Sequence, residues 1–150
     1  MPPKRRRVTA PVASPAHSDS SEDHLERIAE LMEAKGCARV TDLAEALGLR
    51  PSSVSNMVRR LAARDLVNYE RYRGVTLTDK GRAVAAHIKA RHVTLAEFFT
   101  LMGLSEAEVK AEVEDIEHHL RPKTLKLLGK LSGYWKAHPA RLREFLDHKA

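Results

Sequence analysis

The sequence predicts a mainly α-helical protein that contains one short β-hairpin. Apolar residues recur at helical spacing through most of the chain, whereas residues 67–78 alternate and hold β-branched and aromatic residues. Aromatic residues make up only 5% of the 150 residues, so the core must consist mostly of aliphatic side chains. The dominance of alanine, leucine and charged residues favours helix over sheet. At this length the chain forms one domain of ordinary size or two very small ones.

The sequence also indicates where in the cell the protein should be found. No apolar run reaches the roughly 18 residues that a membrane-spanning helix needs, and the N-terminus lacks the apolar stretch of a signal peptide. The single cysteine cannot form an internal disulfide. We therefore expect a soluble, cytoplasmic protein without a membrane partner.

Charge is distributed unevenly along the chain, whose net charge is +6. Residues 1–20 carry four basic residues against Asp19 and lack apolar periodicity, which predicts a disordered basic arm. Residues 37–82 carry nine basic and five acidic residues, whereas residues 105–120 carry six acidic residues and Lys110 as the one base. A basic middle and an acidic later segment indicate two partners of opposite charge.

The basic middle begins with two short helices separated by a tight turn. Residues 40–49 form the first, with Thr41 or Asp42 as its cap and Gly48 as its end. Pro51 suits the first position of the second helix. Four apolar residues of that helix repeat at i, i+3, i+4 and i+7 and should face inward: Val54, Met57, Val58 and Leu61.

The outward face of the second helix carries small hydrogen-bonding groups near its start and two arginines further along, which suits a helix that enters the major groove of DNA. Residues 67–78 follow as a hairpin with a basic tip. Helix, turn, helix and basic hairpin form the order of a winged helix-turn-helix, although a generic helical pair with a solvated basic face is the alternative. The candidate DNA-binding residues are Arg39, Pro51, Ser52, Ser53, Ser55, Asn56, Arg59, Arg60, Arg71 and Arg73.

The acidic segment should form a helix that begins at a capping box, in which Ser105 is followed by Glu108. At roughly 100° per residue, one stripe of this helix is apolar and should face the core. The stripe consists of Val109, Val113, Ile116 and Leu120.

The same helical angle per residue divides the polar residues of the stretch VEDIEHHL (113–120) into two groups. Glu114, Glu117 and His118 cluster about 120° from the centre of the apolar stripe, whereas Asp115 and His119 point elsewhere. Spacing of i, i+3 and i+4 lets three side chains converge on one ion, and carboxylates with imidazole form a chelating set. The alternative for such a cluster is a solvated helix face.

Further ligands would have to come from other helices. The first helix, predicted over 22–36, places Asp23 and Glu26 opposite its apolar side, where an acidic, water-facing stripe is the plain alternative. His92 lies in a long helix that should begin near Thr78; a lone helical histidine is more often structural or exposed.

Three motifs in order give the chain its resemblance to a known family. GCARVTDLAEALGLRPSSVSNMVRRL, then YERYRGVTLTDKGR, then VEDIEHHL resemble the diphtheria-toxin-repressor family of metal-dependent transcription regulators, and within it the manganese-responsive branch. The resemblance implies a homodimer with an N-terminal winged helix-turn-helix over 21–82. A helical dimerisation and metal-binding domain would follow over 83–150. Because the chain ends about 30 residues after His118, no SH3-like domain is expected.

The resemblance also implies a set of metal ligands. Two metal ions in each protomer would be held by residues of three helices, each matched motif by motif: Asp23, Glu26, His92, Glu114, Glu117 and His118. The iron-responsive relatives carry a sulfur residue at the position of Glu114. A sulfur-free, carboxylate-rich site suits Mn²⁺, although Fe²⁺, Zn²⁺ or Co²⁺ could substitute, because the affinity order alone favours other ions over Mn²⁺.

The expected function is a metal-activated dimer that binds palindromic operator DNA and represses metal-uptake genes. Without metal, repulsion among the carboxylates should leave the first helix loosely docked. The basic arm resembles a nuclear-localisation run only superficially, and we interpret it as a flexible DNA-contacting arm. Three alternatives remain: an Fe²⁺- or Zn²⁺-responsive relative, a winged-helix regulator without a metal, and a di-metal enzyme. No nucleophile with an adjacent base and no glycine-rich phosphate loop supports the enzyme.

Overall fold

A computed structural model describes residues 19–148, so the predicted basic arm lies outside the described residues except for its last two positions. The described chain forms seven helices and one two-stranded sheet. The elements are α1 (Asp19–Lys35), α2 (Val40–Leu47), α3 (Pro51–Ala63), β1 (Val67–Glu70), β2 (Gly74–Leu77), α4 (Asp79–Leu101), α5 (Glu106–Ile116), α6 (Pro122–Ala137) and α7 (Pro139–Asp147). The predicted fold class, mainly α with an N-terminal winged helix-turn-helix, is confirmed.

Helices α2 and α3 form the helix-turn-helix. Gly48 ends α2 in the left-handed region at a φ of 64°, and Pro51 is the first residue of α3, as predicted. The predicted cap of α2 is wrong: Arg39 occupies the cap position without a side-chain hydrogen bond. Thr41 and Asp42 lie within the helix instead.

The hairpin is joined to the rest of the winged domain through the loop that follows α1. Strands β1 and β2 pair in antiparallel register, with Val67 opposite Leu77. Ala38 and Val75 exchange two backbone hydrogen bonds of 3.0 and 2.7 Å. Gly74, at a φ of 92°, lies so close to this loop that a Cβ would be 2.7 Å from the Ala38 carbonyl oxygen. The position of the hairpin therefore depends on a glycine.

Two hydrophobic cores lie along α4. The first fills the winged domain, where Leu25 and Ile28 of α1 are fully buried and pack with Ile88 of α4. The second surrounds Leu95 of α4 and Val113 of α5. Because α4 contributes to both cores, it joins the winged half to the helical half, and it crosses the predicted domain boundary after residue 82 without interruption.

Helix ends also differ from the predictions at α1 and α5. Helix α1 begins at Asp19, three residues before the predicted start. Helix α5 has the capping box of Ser105 and Glu108, but it ends at Ile116, so Glu117 and His118 lie just beyond its last residue. The segment after them forms α6 and α7, as predicted. Among residues 19–148, no helix combines the length and apolarity needed to cross a membrane.

Candidate metal centre and nucleic-acid interface

Glu117 is the centre of a cluster in which α1, α4 and the residues after α5 meet. Its carboxylate is buried, with 8% of the side chain exposed. One carboxylate oxygen, Oε2, lies 3.1 Å from Nδ1 of His92 on α4, and the other, Oε1, lies 3.6 Å from Nε2 of His118. The two imidazoles thus face the two oxygens of one carboxylate. Glu117 directly follows the last residue of α5 and keeps helical backbone angles.

Glu26 of α1 belongs to the same cluster. Burial raises the pKa of Glu26, and the negative charge of Glu117 raises it further, while His92 acts in the opposite direction. Asp23, one turn earlier on α1, adds a smaller repulsion. A carboxylate that burial and like charge both disfavour has a strong electrostatic reason to accept a divalent cation.

Glu22, Arg91 and His118 form a buried polar network beside this cluster, which the sequence reasoning did not identify. The Arg91 guanidinium pairs with Glu22, and His118 Nδ1 lies 2.8 Å from the same carboxylate oxygen, Oε2. Burial alone raises the pKa of Glu22, but the bonds and charges of Arg91 and His118 outweigh it and hold that pKa below its usual value. A signal was available: Arg91 stands on the inward stripe of α4, between Ile88 and Leu95.

The structure brings together four of the six predicted metal ligands and leaves two at the surface. Glu26, His92, Glu117 and His118 lie in or beside the cluster. Asp23 is exposed near Glu26. Glu114 is exposed, and its carboxylate makes no hydrogen bond or ion pair with the described residues. Asp115 and His119 are also exposed. The six-ligand set therefore stays a prediction, and residues 19–148 contain no ready group of three or more metal-ligating side chains.

The donors that do meet fit a divalent metal ion. They are carboxylate oxygens and imidazole nitrogens without sulfur, a set typical of sites for Mn²⁺, Fe²⁺, Co²⁺ or Zn²⁺. The one cysteine of the chain, Cys37, lies against Gly74 of the hairpin. The donor atoms of the cluster are therefore suited to binding a cation of hard to intermediate character.

The candidate DNA-binding residues lie on the surface of the helix-turn-helix and hairpin. On α3, Ser52, Asn56 and Arg59 are exposed, as predicted. Nine of the ten candidates are exposed, and Ser55 is half-buried: Arg39, Pro51, Ser52, Ser53, Ser55, Asn56, Arg59, Arg60, Arg71 and Arg73. The guanidinium of Arg59 lies 3.3 Å from the Asn56 side-chain oxygen. Contacts with bases and phosphates stay a prediction for each of these residues.

Two family models match most of the chain. Residues 17–75 match the N-terminal DNA-binding domain of the iron dependent repressors, and residues 78–146 match the metal-binding and dimerisation domain of the same proteins. The family resemblance drawn from the three sequence motifs is thereby confirmed.

Individual relatives agree with the family models. The chain is 43% identical to the HTH-type transcriptional regulator MntR of Geobacillus kaustophilus over 128 residues, which cover 85% of this chain and 91% of that protein. It is 41% identical to the MntR of Bacillus subtilis, over 83% of this chain and 88% of that protein. A solved manganese-dependent transcriptional repressor in complex with manganese is similar in structure, with a TM-score of 0.67 and 30% identity. That match covers 76% of this chain and 53% of the solved one. The chain therefore belongs to the iron-dependent repressor family, whose members are dimeric, metal-binding transcription regulators rather than enzymes.

Proposed function

We propose that this protein is a manganese-responsive repressor, a homodimer that binds palindromic operator DNA when its metal sites are filled and represses metal-uptake genes in the cytoplasm. The observation that carries the proposal is the cluster around Glu117. It is free of sulfur and lies at the junction between the winged domain and the helical half. The structural similarity to a manganese-dependent transcriptional repressor in complex with manganese supports the same metal.

The proposed ligand set keeps the six predicted residues and two ions in each protomer. Glu26, His92, Glu117 and His118 are near one another already. Asp23 and Glu114 stand on exposed positions of α1 and α5, one turn from Glu26 and Glu117 respectively, so a change of rotamer or a small shift would be needed to include them. Each ion would supply positive charge that offsets the repulsion between Glu26 and Glu117.

The positions of the proposed ligands explain how metal binding would be coupled to DNA binding. Helix α1 belongs to the core of the winged domain, the residues after α5 belong to the helical half, and α4 contributes to both cores. Ligation across this junction holds the recognition helix α3 at a defined position relative to the dimerisation half. The two recognition helices of a dimer then have one spacing, which suits a palindromic operator. Coupling of about 1–3 kcal/mol gives a 5- to 150-fold change in DNA affinity.

The packing of α1 bears on the expected mechanism. The first helix was expected to be loosely docked without metal, because its carboxylates repel those of the acidic segment. In the structure Leu25 and Ile28 of α1 are fully buried, and Glu22 is paired with Arg91 and His118. Apolar burial and an internal ion pair hold α1 against α4, and looser docking of α1 without metal stays a prediction.

The direct test is operator binding titrated with Mn²⁺, Fe²⁺ and Zn²⁺, with an EDTA control. We expect Mn²⁺ to raise DNA affinity by at least about fivefold and EDTA to reverse the effect. Activation by Fe²⁺ or Zn²⁺ in place of Mn²⁺ would change the metal assignment and leave the donor set as it is. If neither metal ions nor EDTA changed the DNA affinity, the proposal of a metal-dependent regulator would be refuted.

A substitution at Glu114 tests the ligand assignment where the structure leaves it open. Because the Glu114 side chain is exposed and unpaired among the described residues, Glu114→Ala should leave the fold and the dimer intact. It should remove most of the Mn²⁺ response. Asp115→Ala is the matched control, since it deletes one exposed carboxylate from the neighbouring position, which points away from the cluster. Equal Mn²⁺ responses in the two variants would remove Glu114 from the ligand set.

A further inference from the structure

We propose that Glu22, which is outside the predicted ligand set, is a positioning residue for the metal ligand His118, and that Arg91 holds Glu22 in place. This inference rests on the proposed metal function and deepens it. Glu22 would accept the Nδ1 proton of His118, so that the ring presents Nε2 to the cluster around Glu117. The carboxylate of Glu22 itself would not contact the metal.

The hydrogen-bond geometry favours one tautomer of His118. Its Nδ1 lies 2.8 Å from Glu22 Oε2 and 3.4 Å from Arg91 Nη2. A guanidinium only donates, and an ionised carboxylate only accepts. The ring nitrogen and Arg91 are therefore both donors to Glu22 Oε2, and the proton of a neutral His118 belongs on Nδ1. The lone pair is then on Nε2, the nitrogen 3.6 Å from Glu117 Oε1.

Burial makes this arrangement strong. The side chains of Glu22, Arg91 and His118 are 11%, 10% and 13% exposed. Little water competes for these polar groups, so the hydrogen bonds are stronger than at a surface and the loss of one partner is costly. The three residues come from α1, α4 and the segment after α5, and Glu22 and His118 are 96 positions apart in the sequence. Rotation of the His118 ring would require Glu22 to give up a buried bond.

Arg91 has a defined part in the network. Its Nη2 pairs with Glu22, whereas its Nε is buried without a hydrogen-bond partner among the described residues. Burying a guanidinium with an unsatisfied N–H costs stability. The pairing with Glu22 offsets that cost and leaves the Glu22 carboxylate in a single position. A carboxylate that orients a metal-binding imidazole through its other nitrogen is a common support for metal sites.

A plain structural role is the competing explanation. In that case Glu22 and Arg91 only join α1 to α4, and removing Glu22 would lower the stability of the fold without changing the metal affinity of the folded protein. Positioning predicts a change in metal affinity and in the protonation pattern of the His118 ring. The two explanations therefore differ in observables other than stability.

The test uses full-length protein and two variants of similar size. Glu22→Leu removes the acceptor, whereas Glu22→Gln keeps an oxygen that can accept the Nδ1 proton. Mn²⁺ affinity is measured from the free-ion EPR signal, with folding checked by circular dichroism. We expect Glu22→Leu to weaken Mn²⁺ binding by about 10- to 100-fold and Glu22→Gln to recover most of that loss. Glu33→Leu, at an exposed acidic position further along the same helix whose carboxylate lies 3.7 Å from Lys89, should leave affinity unchanged.

A measurement on the unsubstituted chain completes the test if Glu22→Leu fails to fold. Nitrogen-15 NMR of the metal-free protein reports which ring nitrogen of His118 carries the proton, with His118→Gln used to assign the signal. A proton on Nδ1 supports the proposal, and a proton on Nε2 overturns it. Wild-type affinity in folded Glu22→Leu, or equal losses in the Leu and Gln variants, would also overturn it. If the unsubstituted protein binds no Mn²⁺, the proposed function fails; if it binds Mn²⁺ and Glu22→Leu binds equally well, only this inference fails.

Discussion

Gly81 lies where the winged domain meets the long helix, and its replacement by alanine gives a sharp test of the fold. It is the third residue of α4, and its backbone N–H donates to Oγ1 of the capping Thr78 at 3.0 Å. The same threonine donates to the Asp65 carbonyl at 2.8 Å. A Cβ added at Gly81 would lie 1.9 Å from the Leu66 carbonyl oxygen and 2.9 Å from the Leu66 carbonyl carbon. Both atoms belong to the backbone.

The expected loss of stability follows from two opposing contributions. Alanine is favoured over glycine inside a helix by about 1 kcal/mol. Overpacking costs about 1–3 kcal/mol and sometimes more, and the upper end applies because no side-chain rotation can relieve a clash with backbone. We expect Gly81→Ala to lower the free energy of unfolding by about 2 kcal/mol. At this chain length the melting temperature should fall by about 4–8 °C.

The matched control is Gly133→Ala in α6. Gly133 is also inside a helix, but a Cβ there meets no atom within 4 Å. The same chemical change should therefore raise stability by up to about 1 kcal/mol. Both variants are unfolded with urea at two protein concentrations, so that a change in dimerisation is detected separately. Because α4 joins the two halves, Gly81→Ala should also weaken Mn²⁺-dependent operator binding.

Equal stabilities of the two variants would refute the reasoning. So would Gly81→Ala as stable as the unsubstituted protein, since the start of α4 would then not be packed against Leu66 as described. Loss of stability with unchanged operator binding would mean that the junction tolerates a shift without affecting the spacing of the recognition helices.

Two further predictions concern Glu26 and Arg59. Glu26→Gln should stabilise the metal-free protein near neutral pH and weaken Mn²⁺ binding, because burial and the charge of Glu117 raise the pKa of Glu26. A carboxyl with a raised folded-state pKa contributes stability that is fully present below its unfolded value and lost as pH rises through the folded value. The advantage of the variant, measured by urea unfolding with chelator, should therefore grow from acidic to neutral pH; a constant difference would contradict this. Arg59→Ala should reduce the slope of log DNA affinity against log salt by about 1 without changing Mn²⁺ affinity, and an unchanged slope would remove Arg59 from the phosphate contacts.

Local signals identified the elements of this chain. Gly48 and Pro51 mark the turn of the helix-turn-helix, and Ser105 with Glu108 marks the start of α5, because each acts on backbone groups within a few residues. The cap of α2 was misassigned for the same local reason: Thr41 and Asp42 are good capping residues, but the bridge between Ala38 and Val75 sets where the chain enters the helix.

For the metal cluster too, some features follow from local sequence signals and others depend on tertiary contacts. By itself the sequence determined that Glu117 and His118 stand next to an apolar helical stripe and predicted them as metal ligands, and its motifs indicated the family and the partner ligands. Only the tertiary structure decided that α5 ends before Glu117, that Glu117 faces both His92 and His118, and that Glu114 remains at the surface. It also decided that Glu22 contacts both Arg91 and His118. Periodicity describes one helix at a time, whereas contacts between side chains of three elements depend on how those elements pack.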